Sequence, residues 1–132
     1  MARLEFFVVA ESVSIDMQTN RASVFNILEN FNPSVFPFTV HSISTMTLWI
    51  QEDGDADTDF QMVLKVTTPS GAEVELPTNF KIPERRHRLV NNLVGLTIDG
   101  PGDLVFEIRL NGEHFASHTV TVNSAGPSVQ PE

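Results

Sequence analysis

Four short stretches of the chain hold residues whose types and spacing could do chemistry. The first, Asp53-Gly54-Asp55-Ala56-Asp57-Thr58-Asp59, alternates carboxylates in a way that could gather them round a hard cation such as calcium. A helix-loop-helix calcium loop starting at Asp53 would need glycine at its sixth position and glutamate at its twelfth, and Thr58 and Leu64 stand there instead. What remains is a calcium site in a loop between strands, set against a solvated acidic loop that keeps a sheet edge soluble. The second stretch holds His114 and His118, whose four-residue spacing brings two rings together on a helix but leaves their α-carbons about 13 Å apart on a strand. The sequence HFASH also lacks the glutamate of a zinc protease helix, so both read as ordinary strand histidines. His41 and His87 have no carboxylate or third histidine at ligand spacing.

The third stretch is Glu84-Arg85-Arg86-His87-Arg88. Lys81, Arg85, Arg86 and Arg88 are half of the chain's eight Lys and Arg, in a protein of formal charge −9. Arginine pairs bidentately with carboxylate or phosphate, so this strip could select an acidic partner or set the register of a self-association. The plainer reading is that these arginines neutralise the protein's own carboxylates, including the Asp53–Asp59 loop. The fourth feature is Trp49, the single tryptophan, which could centre a subunit contact or pack as a second-face or core residue.

Other routes to catalysis are closed. No cysteine is present, and no serine sits in a Gly-x-Ser-x-Gly turn. Gly100-Pro101-Gly102 reads as a turn and not as a phosphate loop, and Glu107 and Glu113 alternate with apolar residues as a solvated face does. We expect no catalytic residue, no cofactor and no metal ligand, hence no enzyme. Seventeen acidic against eight basic residues repel phosphate backbones and anionic lipid, which argues against nucleic-acid and membrane partners. Absence of cysteine and of a long apolar segment points to a cytoplasmic protein.

Such residues must be positioned by strands. Leu104, Phe106, Ile108 and Leu110 alternate with Asp103, Glu107 and Arg109, and Asn111-Gly112 supplies a two-residue hairpin turn. With a strict turn, Val120 and Val122 would point outward, so one extra residue is expected as a bulge among Ala116, Ser117 and His118. A three-residue loop is the competing solution. Phe60, Met62, Leu64 and Val66 make another half-buried strand, and Thr68-Pro69-Ser70-Gly71 turns it into Ala72–Leu76. In Val40–Gln51, Met46, Leu48 and Ile50 share one face and Thr45, Thr47 and Trp49 the other. Residues 77–88, cut by Pro83, read as a connection with an imperfect edge strand, and Leu89–Ile98 as a strand. Arg21–Phe31 fits either a helical face or a doubly covered strand, with helix slightly ahead on periodicity. Seven to eight strands without crossover helices indicate an all-β, antiparallel, immunoglobulin-like β-sandwich over residues 1–123, followed by a flexible tail over 124–132.

The opening strand FFVVAESVSID, the short SVFNILENF leading to VFPF, the strand ending LWIQEDG, and the closing LVNNLVGLTIDGPGDLVFEIRLNGEHFASHTVTV carry a resemblance. Together they resemble an uncharacterised bacterial family of small β-sandwich domains, a domain of unknown function. Where that family favours Gly-Lys in the first turn, this chain has Thr19-Asn20-Arg21, and Gly102-Asp103-Leu104 replaces its Gly-x-Tyr. The resemblance implies a strand, not a helix, over Ala22–Leu28, and it implies no activity. The expected function is a non-enzymatic protein-interaction or structural module. Its partner surface, for a protein partner or self-association, falls on Arg85, Arg86 and Arg88 with Trp49, and the alternative is a calcium-binding domain using the Asp53–Asp59 loop.

Overall fold

The computed structural model describes residues 2–124, so most of the expected tail lies outside the described residues. Nine strands follow one another: β1 (Arg3–Ile15), β2 (Ala22–Ile27), β3 (Asn30–Phe31), β4 (Phe38–Ile50), β5 (Phe60–Thr67), β6 (Glu73–Phe80), β7 (Arg86–Ile98), β8 (Gly102–Leu110) and β9 (Glu113–Val122). They form a four-stranded sheet, β2-β1-β4-β7, and a five-stranded sheet, β3-β9-β8-β5-β6. The strand that the family resemblance implies over Ala22–Leu28 is present as β2, one residue shorter, in place of the helix that periodicity favoured. The strand in excess of the expected eight is β3, which is two residues long and pairs in parallel with β9, so the sandwich is not wholly antiparallel. A segment that short carries no side-chain period, and backbone pairing alone defines it.

The five-stranded sheet follows its alternation closely. Met62, Leu64, Val66, Leu104, Phe106, Ile108 and Leu110 are fully buried and face the other sheet. Asn111 and Gly112 take φ of 50° and 84° and close a two-residue turn between Leu110 and Glu113. The required extra residue is Phe115, one position before the expected range: Arg109 faces His114, Ile108 faces Ala116, and Val120 and Val122 return to the core. The bulge has a use, because Phe115 meets the edge of Trp49 at 5.3 Å. β6 continues through Pro77, which an outermost strand tolerates, and β7 already begins at Arg86.

The four-stranded sheet departs from simple alternation. Its inner face at β4 is the one bearing Ile43, Thr47 and Trp49. Trp49 Nε1 donates to Thr47 Oγ1 at 3.0 Å, and Thr47 Oγ1 lies 3.7 Å from Met62 Sδ on the opposite sheet, so the buried polar atoms are satisfied. Ala10 and Met46 point the other way and are nevertheless buried, apart from the central cluster. Their cover is the chain itself. Pairing of β1 with β4 ends at Ala10–Ser44, yet the Arg88 guanidinium donates to the Asn20 carbonyl at 2.9 Å, and Arg88 pairs with Leu48. A straight β1–β2 hairpin would carry Asn20 roughly 30 Å from that level. The hairpin therefore folds back over the outer face. Its bend lies at Glu11 and Asn26, where the register skips a pair, Asn26 has φ of 58°, and Asn26 Nδ2 donates to Glu11 Oε1 at 2.8 Å.

A matching irregularity crosses β4 and β7 at His41 and Gly95 (φ 77°). With one unpaired residue in each strand the register is kept while the faces exchange. Ile43 and Leu93 pack inward on one side of it, and Phe38, Val40, Leu96 and Ile98 on the other.

Candidate interaction surface

Topology gathers cations that sequence separates. Arg3 faces Ile50, which faces Arg86, across β1, β4 and β7, and the hairpin tip sets Arg21 beside Asn20, the residue held by Arg88. With Arg85, five of the chain's eight cations occupy one end of the four-stranded sheet. Arg86 pairs with Glu5 at 3.5 Å. Arg3, Arg21, Arg85 and Arg88 have no ion pair among the described residues. Arg85 gives its backbone carbonyl to Gln51 N at 2.8 Å, which fixes the start of β7 and leaves its side chain exposed. A shallow cleft of about 460 Å³ is lined by Asn20, Leu48, Glu84, Arg86, His87 and Arg88.

Apolar side chains adjoin this cationic end. On the outer face Phe6, paired with Leu48 as Arg88 is, is 39% exposed, and Met17 at the hairpin tip is 99% exposed; Val94, 77% exposed, lies farther along β7, paired with Ser42. Trp49 is not among them. It is fully buried against Phe80 and Phe115 and offers a partner no surface, so its expected place in the interface does not hold and core packing accounts for it. His87 lies nearly parallel to the Phe80 ring at 5.6 Å, and burial holds its pKa below the ordinary histidine value.

The remaining candidates are engaged in contacts within the chain. Asp55 is turned inward and accepts from Glu52 N at 2.8 Å, Thr58 Oγ1 donates to the Gly54 carbonyl, and Lys81 pairs with Asp59 at 2.7 Å. The acidic loop thus organises its own turn, and the cation paired with its Asp59 is Lys81 and not an arginine. Among the described residues no three His, Asp or Glu groups converge on a point a metal could occupy, so nothing supports the calcium alternative. His118 Nε2 donates to the Leu28 carbonyl at 2.7 Å and fastens the β2–β3 link to β9. His114 Nδ1 and Arg109 Nε approach one Glu107 carboxylate oxygen at 2.7 and 3.2 Å, and those contacts, His114 first, hold the Glu107 carboxyl below its ordinary range.

A family model described as a family of unknown function, DUF6941, matches residues 5–123. The chain belongs to DUF6941. No curated protein matches it. The matched span of this DUF6941 domain runs from β1 to just past β9 and takes in both sheets, the folded-back hairpin and the arginine segment. No helix among the described residues is long and apolar enough to cross a membrane.

What sequence reading missed was Arg3 and Arg21, and the apolar outer face. The one signal for the irregular sheet was Gly95 inside an otherwise apolar strand, a position where glycine marks a bulge or bend.

Proposed function

We propose that this DUF6941 domain is a non-enzymatic, cytoplasmic protein-interaction module that docks an acidic protein partner on the arginine end of its four-stranded sheet. The observation that carries this reading is the convergence of Arg3, Arg21, Arg85, Arg86 and Arg88 at one end of a sheet, beside exposed Phe6 and Met17, in a chain of net charge −9. A cationic island on an acidic molecule repels other surfaces of its own kind and selects a complementary one. Apolar neighbours supply the desolvated contact that arginines alone lack. Strand order supports an immunoglobulin-like reading as well. β1-β4-β7 corresponds to A-B-E and β9-β8-β5 to G-F-C of that fold, a scaffold used widely for recognition.

The test is affinity capture from native-host lysate with the wild type and an Arg85→Ala/Arg86→Ala/Arg88→Ala variant, read by mass spectrometry. An acidic protein retained by the wild type and lost by the variant supports the reading. Equal retention by both places the interface elsewhere.

A further inference from the structure

On one side of the sandwich both sheets end, among the described residues, in backbone that no strand pairs with. β2 accompanies β1 only from Ala10 onward, and Leu28 N reaches Val9 O, so β1 from Leu4 to Val8 has no paired strand on that edge among the described residues, although β9 approaches it across the sandwich. β3 accompanies β9 only at Thr121 and Val122, which leaves β9 from Phe115 to Thr119 without a paired strand on that edge among the described residues. Residues of both bare stretches, Phe7 and Phe115 among them, line one cleft of about 650 Å³. Leu28, crossing from one sheet to the other, and His118, bonded to its carbonyl, close the upper end.

Strand geometry says which groups face the cleft. Val9 turns its carbonyl to Leu28, so two residues earlier Phe7 turns its N–H and C=O to the same side. By the same period Thr119 and Ser117 follow Thr121, whose N–H meets the Glu29 carbonyl. The opposite side of the sandwich is protected: β6 carries Glu73, Glu75 and Pro77, and β7 is broken at Gly95. The β1 edge reads Leu4-Glu5-Phe6-Phe7-Val8, without proline or glycine and apolar except at Glu5, which sits at an irregularity in the register and pairs with Arg86. Proteins normally blunt such an edge, and one left open is a template for a further strand.

We propose that this cleft is a strand-acceptor site, in which an extended segment of another protein, about five residues with apolar side chains at alternate positions, adds antiparallel to Leu4–Val8 along the line β2 would follow if it continued. Its apolar side chains face Phe7 and Phe115. A second copy of this chain fits less well. Antiparallel self-pairing centred on Phe6 sets the copy's Leu4 opposite Val8 and brings its Arg3 to the place beside Val9 that Leu28 occupies. The site adjoins the arginine surface and shares Arg3 and Phe6 with it, but it rests on bare strand edges and not on the cations, so neither reading depends on the other.

The test is a titration of the uniformly labelled protein with a lysine-flanked hexapeptide of alternating threonine and valine, followed by amide chemical shifts. A second peptide carries N-methyl groups on alternate amides facing β1. The expected result is saturable shifts at residues 4–8 and 115–119, with affinity lowered at least about tenfold by N-methylation, the loss of roughly one net hydrogen bond. No shifts at millimolar peptide, shifts confined to other strands, or equal binding of both peptides would overturn the proposal. So would sedimentation showing the protein alone as a dimer whose 4–8 amides are protected, since the second copy would then fill the cleft.

Discussion

Both sheets turn alternate side chains outward, yet their outer faces differ in kind. On the five-stranded sheet the outward residues include charged groups that satisfy one another: Lys65 pairs with Glu73 at 3.2 Å, and Arg109 and His114 share Glu107. On the four-stranded sheet they include Phe6, Ala10, Met46 and Val94, partly roofed by the β1–β2 hairpin and bordered by arginines of which only Arg86 has an ion pair among the described residues. A face that closes its own electrostatics has little left for a partner. A face with uncommitted cations and part-covered apolar area does.

The largest effect expected from breaking this contrast is at Met46. Met46→Asp puts an unpaired charge under the hairpin and should destabilise the fold by about 3 kcal/mol or more, while Thr119→Asp on the exposed charged face should change stability by no more than about 0.5 kcal/mol; urea denaturation measures both. Next comes Arg88→Ala. Losing its bond to the Asn20 carbonyl should cost about 1 kcal/mol locally, seen as faster amide exchange across 12–25 with little change in the protection of β5 and β8. Unchanged exchange in the hairpin would mean that apolar contact alone holds it down.

Glu107→Gln tests the other face and should cost less than about 1 kcal/mol, as exposed ion pairs usually do. Because contacts in the folded state lower the Glu107 pKa, the folded protein binds fewer protons there than the unfolded chain. Its contribution is present above the ordinary value of 4.5 and fades as pH falls through the depressed one. The acid-side fall in melting temperature should therefore be shallower in Glu107→Gln. His87 gives the smallest effect and the same sign: its lowered pKa makes stability rise with pH up to the ordinary 6.5, and His87→Phe should flatten that rise in melts between pH 5 and 7.5.

The two sheets also differ in how far sequence reveals them. β5, β8 and β9 are readable because a period of two and an Asn-Gly turn act within a few residues of each other. Even the bulge announces itself, since Val120 and Val122 must return to the core. Its position does not, because Phe115 is chosen by contact with Trp49, sixty-six positions away in the chain. In β4 the apolar triplet Met46, Leu48 and Ile50 reads as the buried face, whereas Thr47 and Trp49 line the interior and satisfy each other there. Local pattern cannot show that a hairpin made by residues 11–26 will cover Met46. The candidate surface divides the same way. Arg85, Arg86 and Arg88 stand together in sequence, while Arg3 and Arg21 join them only through strand pairing and the folded-back tip.

The most direct test of the central claim is an amide-exchange footprint of the domain bound to the partner it captures. The account predicts new protection at residues 3–8, 18–22 and 84–94, with 61–67 and 103–109 unchanged. Protection confined to the charged face of β5 and β8 would contradict it.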